Sequence, residues 1–318
     1  MMVAIDKQNS RRMNPLGAIL LAVHLAAILA YVHLKYIDEP TLSDKIEQHR
    51  TFLAGKALYP YQYRVFLHLA CEAFLRASSS FLAYEKSFLF FQVGVVFSTT
   101  AASLLLFYRY LKIWFPDASA LFGMTFLAAI HPLSFFNYHF QPSSSLILAI
   151  YIVGMLSIYY DQWIWLILCI AVASLERFEA AFFLISMYFL CADKRTGRFW
   201  LFFALYVLIG IGAAAGLRWY FGPQPYVHSA AFHLSYNFRT PGTLLLAVLY
   251  GPFWLWALLG FASAPKFLRR ILLIVPIFVL LHFFVAKVNE VRLFLPLAPI
   301  LIPLGFGYWF GWKQNNDE

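Results

Sequence analysis

Trp163–Cys191 reads WIWLILCIAVASLERFEAAFFLISMYFLC, two apolar arms meeting at Glu176-Arg177-Phe178-Glu179. Each arm is too short to cross the roughly 30 Å hydrocarbon core of a bilayer as a helix. One helix through the whole stretch would set three charges near mid-membrane, at about 2.5–3.5 kcal/mol each on insertion scales. Two short helices turning back at a polar cleft cost less, because the charges then reach water or one another. The stretch is therefore expected to form a hairpin with its charges at the apex.

Composition around the hairpin sets the class. The chain has 318 residues, of which 62% are hydrophobic, 19% aromatic and only 12% charged, with a mean hydropathy of +0.70. No soluble domain keeps that much apolar surface from water, so the expected fold is all-α: a polytopic transmembrane helical bundle forming a single domain over residues 1–318. Full spans are expected at about Pro15–Tyr36, Ser87–Tyr108, Ala118–Tyr138, Pro142–Tyr160, Trp200–Leu217, Thr243–Phe261, Ile271–Val285 and Leu293–Trp312, about eight in all. Met1–Asn14 is basic, but the apolar segment after it has spanning length and no A-x-A site, so no cleavable signal peptide is expected. Cys71, Cys169 and Cys191 show neither disulfide nor metal spacing. A net charge of +9 suits anionic lipid, and no basic nucleic-acid module is present.

Charge also suggests an orientation. Lys7, Arg11 and Arg12 place the N-terminus in the cytoplasm by the positive-inside rule. The first span then delivers Ile37–Arg64, the longest polar run, as the first extracytoplasmic loop. Within residues 65–84, His68, Glu72 and Arg76 recur every fourth residue and line one helix face, which fits an interfacial amphipathic helix better than a span. The basic connectors Arg109/Lys112, Lys194/Arg195/Arg198 and Lys266/Arg269/Arg270 then fall on the cytoplasmic side, as does the C-terminus. Five polar pieces share the opposite face: Ile37–Arg64, Tyr138–Gln141, Glu176–Glu179, Arg218–Pro241 and Lys287–Arg292.

The candidate chemistry sits in those pieces. Asp38 and Glu39 follow the first span directly, and a carboxylate held there can take a proton from a hydroxyl; a polar helix end is the plainer account. Arg64 ends a tyrosine-rich run, Pro60-Tyr61-Gln62-Tyr63-Arg64, and a guanidinium at headgroup depth suits a phosphate, or serves as an interfacial anchor. Glu176, Arg177 and Glu179 are ionisable groups between apolar arms, and Glu290 and Arg292 precede a Pro-rich span. His139 and His131 lie near Pro132 within the apolar stretch, where a lone histidine is more often a hydrogen-bonded structural residue, and His228 and His233 lack a third ligand, so no metal and no cofactor is expected. Walker, Rossmann, HExxH and GxSxG patterns are missing, which disfavours ATP-driven transport and zinc proteolysis.

Asp38-Glu39 after the first span, Gly55 ahead of Pro60–Arg64, Glu176–Glu179 between short helices and Asn289-Glu290-Val291-Arg292 before a Pro-rich span together resemble the GT-C superfamily, and more narrowly bacterial integral membrane proteins of glycosyltransferase type. The resemblance covers the whole chain in architecture and these short patches in motif. It implies an enzyme of the bacterial inner membrane that moves a sugar from a polyprenyl-phosphate donor to a lipid or glycan acceptor at the extracytoplasmic face. It further implies Asp38 or Glu39 as general base and Arg64, Arg177 and Arg292 as stabilisers of the departing phosphate. Tyr61 and Tyr63 would offer stacking faces, with His139, Glu176, Glu179 and Glu290 completing the substrate site. A transporter or flippase for a lipid-linked or anionic solute, and a non-catalytic scaffold, are the alternatives; a transporter would be expected to show paired halves, which the sequence does not.

Overall fold

The computed structural model describes residues 15–135, 143–193, 195–226, 228–239 and 242–313, and among them there are helices and turns but no β-strand. Helix α1, Pro15–His33, continues through a wider π-helical turn to Asp38, and Pro40, lacking an N–H, ends it. Next come α2 (Leu42–Leu53), a tight turn at Tyr61–Tyr63, α3 (Val65–Ser78), the long α4 (Tyr84–Leu111), and α5 (Asp117–Ile130) with a 3₁₀ turn to Phe135. Then follow α6 (Ser143–Tyr159), α7 (Trp163–Glu176), α8 (Phe178–Cys191) and α9 (Gly197–Phe221). The last third holds α10 (Ala230–Arg239), α11 (Gly242–Tyr250), α12 (Phe253–Leu259), α13 (Lys266–Leu272), α14 (Ile274–Val285), a 3₁₀ turn at Val291–Leu297 and α15 (Ala298–Phe310).

Six helical stretches among the described residues are long and apolar enough to cross a membrane: 15–38, 84–111, 117–135, 197–221, 266–285 and 291–310. The protein is thus built as an integral membrane protein. Helix α6 covers 17 residues from Ser143, the first described residue after position 135, and that length lies within the usual range for a span. One of the eight expected spans takes another form. The stretch expected to span at Thr243–Phe261 breaks at Gly251-Pro252, where Gly251 adopts φ +49° and Pro252 brings no N–H to the ladder. The Trp254 indole N–H partly compensates by donating to the Leu246 carbonyl at 3.2 Å.

The hairpin forms as the charge argument requires. α7 stops at Glu176, Arg177 is extended (φ −152°, ψ 96°), and α8 starts at Phe178. The open ends of the two arms meet beside the start of α9, where Asp161 and Asp193 approach Arg198, Lys266 and Arg270. We call that end the basic end; Lys112 and the stacked pair Trp114–Phe267 lie there too. The other, the apex end, carries Asp38, α2, α3 and Glu176–Glu179. Helix α3 measures only about 21 Å, too short to span, and packs on α4 and α7.

The 291–310 stretch that ends in α15 is the most enclosed of the six, 83% of its apolar window being buried against 11% for that of α9, which lies at the edge. The core around α15 draws on α4 to α8 as well as α12 and α13. Its close approach to α12 depends on Gly260: a methyl group there would lie 2.5 Å from the Leu304 carbonyl oxygen of α15, a backbone atom that cannot swing away. Gly260→Ala should therefore destabilise the protein by about 1–3 kcal/mol, the usual penalty of overpacking. Gly212→Ala, with open space at the same position on α9, should leave the thermal unfolding midpoint in detergent unchanged or slightly raised.

Candidate functional site

The tyrosine-rich loop, the hairpin apex and the last turns of α9 enclose a cavity of about 360 Å³ at the apex end. Tyr59, Tyr63 and Arg64 line it from the loop, Glu176, Arg177 and Glu179 from the hairpin, and Arg218 from α9. The loop is fastened there by its own backbone and ring contacts. Tyr59 N–H donates to the Pro225 carbonyl at 3.0 Å, the Tyr63 hydroxyl donates to the Gly222 carbonyl at 2.6 Å, and the Tyr59 and Tyr226 rings lie 4.0 Å apart.

The charges in the cavity are unevenly satisfied. Arg177 Nε donates to Glu179 at 2.7 Å, the arginine side chain being 3% exposed and the glutamate 32%. Glu176 is buried and accepts the Leu67 backbone N–H at 3.2 Å through one oxygen. The Arg64 guanidinium lies over the Tyr61 ring at 5.4 Å, and its Nη1 is buried without an acceptor among the described residues. Burial and the nearby Arg177 hold its pKa below the usual arginine value. An orphaned, buried N–H of this kind costs about 1–3 kcal/mol unless water or a ligand supplies an acceptor.

Behind Arg64 and Glu176 lies a smaller polar cavity of about 40 Å³, also lined by Lys45, His49, His68 and Gln92. His49 Nδ1 and His68 Nδ1 are 3.0 Å apart, and His68 stacks on Phe52 at 4.2 Å. Burial first, then His49 and Arg64, push the His68 pKa down to about 3, and burial lowers that of His49. A histidine whose folded pKa is depressed adds stability that is complete above its unfolded value near 6.5 and is lost as pH falls toward about 3. The unfolding midpoint should fall on acidification from about pH 7 to 4.5, and His68→Gln should flatten that dependence. A His68→Gln profile as steep as that of the unaltered protein would show that other groups control acid sensitivity.

Asp38 and Glu39, adjacent in sequence, point to different surroundings. Asp38 is fully buried, with His33 Nδ1 at 2.8 Å from one oxygen and Lys45 Nζ at 2.6 Å from the other. Burial lowers the Lys45 pKa against the opposing pull of Asp38. Asp38 thus reaches the cavities only through Lys45, which lines the smaller one. Glu39 is exposed and pairs with Lys35 at 2.7 Å.

Arg64, Tyr63, Glu176, Arg177 and Glu179 therefore meet in one cavity, while Tyr61 faces the smaller one. Glu290 and Arg292 pair with each other at 2.5 Å and line neither cavity. His139 lies outside the described residues. Sequence reasoning missed Arg218 and Tyr59 as wall residues and Lys45 and His33 as partners of Asp38. A charge at the end of a span, as at Arg218, was the signal available. No group of His, Cys, Asp and Glu suited to a metal ion occurs among the described residues.

The charged cavity shares Phe178 and Ile211 with an apolar groove of about 500 Å³ between α8, α9 and α14. Phe182, Phe203 and Ile277 help to line that groove. No protein family, curated protein or solved structure matches the chain.

Proposed function

We propose that this chain is a membrane glycosyltransferase that moves a sugar from a polyprenyl-phosphate donor to a lipid or glycan acceptor. One observation carries the reading: a cavity rich in arginine and carboxylate borders an apolar groove along the same edge helix, the two having Phe178 and Ile211 in common. A ligand with an anionic head and a long hydrocarbon tail complements both halves at once.

In this reading the phosphate sits against Arg64, Arg177 and Arg218, and the tail follows the groove past Phe178 and Ile211. Glu176 takes the proton from the acceptor hydroxyl. The freed oxygen attacks the anomeric carbon, the bond from that carbon to the phosphate oxygen breaks, and its electron pair leaves on the phosphate. The guanidinium groups stabilise that growing charge, usually the largest electrostatic contribution to such a transfer. Tyr59 and Tyr63 offer ring faces to the sugar. Glu176 is preferred to Asp38 as base because both Asp38 oxygens are already engaged. In this reading the basic loops lie in the cytoplasm by the positive-inside rule, so that the apex end and its site face the extracytoplasmic side of a bacterial inner membrane, with both termini cytoplasmic and α3 at the interface.

Mass spectrometry of lipid extracts from cells with and without the gene tests the activity. Loss of the gene should raise a polyprenyl-phosphate sugar. Unchanged lipid-linked sugars, together with loss of an anion flux in reconstituted vesicles, would favour a transporter instead.

A further inference from the structure

We propose that the basic end holds a second binding site, which takes the headgroup of an anionic phosphodiester lipid from the leaflet on that side. This site lies at the opposite end of the molecule from the charged cavity and stands whether or not the chain transfers sugar.

The site is a cavity of about 380 Å³ among the α6–α7 turn, the end of α8, the start of α9 and α13. A pocket of that size accommodates a small ligand or a lipid headgroup. Arg198, Lys266 and Arg270 line it together with Asp161 and Asp193. These groups match one another only in part. Lys266 and Arg270 share a single oxygen of Asp193, and Arg270 also donates to the Cys191 carbonyl at 2.8 Å. Lysine and arginine carry several donors each, so most of theirs remain open. Arg198 lies 3.8 Å from Asp161, beyond hydrogen-bonding distance, and each keeps its polar atoms available. Three cations against two carboxylates leave the wall one positive charge, the complement of one phosphodiester. The first turn of α9, capped by Thr196, adds the positive end of a 25-residue helix.

Aromatic rings set the depth. Tyr159, Phe199 and Phe202 belong to the wall, and each carries an exposed aromatic neighbour. Tyr160 packs on Tyr159 at 4.9 Å, Trp200 on Phe199 at 5.1 Å and Trp163 on Phe202 at 5.3 Å. Exposed tyrosine and tryptophan at the end of a membrane bundle mark headgroup level. The cavity therefore opens where lipid phosphates lie, and its rings suit the glycerol and first methylenes of a lipid, which a free phosphate lacks. Asp161 narrows the headgroup further, because its open carboxylate accepts hydroxyls. A zwitterionic head would leave the positive charge of the wall unmatched. An anionic head bearing hydroxyls satisfies both.

Native mass spectrometry of the full-length protein released from detergent tests this, with phosphatidylglycerol as the probe. The unaltered protein should retain one such lipid in preference to phosphatidylethanolamine. Arg198→Gln and Lys266→Gln should each weaken retention at least about tenfold, as expected when a charge-assisted hydrogen bond is lost. Both side chains are mostly exposed, so the unfolding midpoint without added lipid should not change. Asp161→Asn keeps an oxygen acceptor and adds net positive charge, so it should hold phosphatidylglycerol at least as tightly. Arg269→Gln is the control, an exposed cation of the same helix that does not line the cavity, and it should bind normally. An equal loss in Arg269→Gln would reduce the effect to general attraction by a basic surface and overturn the site. Equal retention of phosphatidylethanolamine, or displacement of the lipid by inorganic phosphate at matched concentration, would overturn it as well.

Discussion

Arg177→Ala is expected to lower sugar transfer by about 10²–10³-fold, the range seen when one preorganised donor to a developing anion is removed. The guanidinium is 3% exposed and fixed by Glu179 at 2.7 Å, so it is held in one place in the cavity wall before any ligand binds. Its loss also leaves Glu179 without its counter-ion in the cavity, which repels the donor phosphate and should weaken donor binding. Arg177→Lys should recover part of the rate, since a point charge returns without the planar fork. Lys112→Ala at the basic end is the control. That lysine pairs with Asp117 at 2.8 Å on a half-open surface, where such pairs contribute little, so turnover should stay within about twofold. Equal losses from the two variants would mean that Arg177 acts on folding and not on the reaction.

Glu176→Gln should retain the fold, because the amide oxygen still accepts the Leu67 N–H, while transfer falls by about 10²–10⁴-fold with the base gone. Asp38→Asn should behave differently. It breaks a buried ion pair and leaves Lys45 charged at a site 3% exposed, a change that typically costs about 3–5 kcal/mol. Its signature is a lower unfolding midpoint and poor recovery of protein, with any activity loss following stability. Glu39→Gln, on the exposed side, should change neither. If Asp38→Asn is stable and inactive while Glu176→Gln turns over normally, the base is Asp38 and the proposed roles exchange.

The sequence carried the class and the hairpin openly, because charge in an apolar run is so unfavourable that few arrangements tolerate it. Glu176, Arg177 and Glu179 stood out for that reason, and the cavity holds all three. Asp38 and Glu39 were harder. Neighbours on a helix point about 100° apart, so one of an adjacent pair turns inward and the other outward, and composition does not say which. Lys45 was hidden for a related reason: it lies seven residues beyond Asp38 across the Pro40 break, where no helical spacing predicts a pairing. The interruption at Gly251-Pro252 was written in a strong breaker dipeptide, but the apolar residues on both sides outweighed it in a length-based reading. The groove between α8, α9 and α14 had no local signal, since its walls come from three separated segments.

That groove runs along the helix least enclosed by the rest of the protein. A donor entering there arrives by lateral diffusion within the bilayer, so its working concentration is a mole fraction among lipids and not a molarity in water. Bulk acyl chains compete for the same apolar walls, and so does any detergent used to extract the protein. Apparent KM for the donor should then rise in proportion to added detergent while kcat stays constant. Kinetic comparisons between variants are meaningful only at a fixed ratio of donor to total amphiphile.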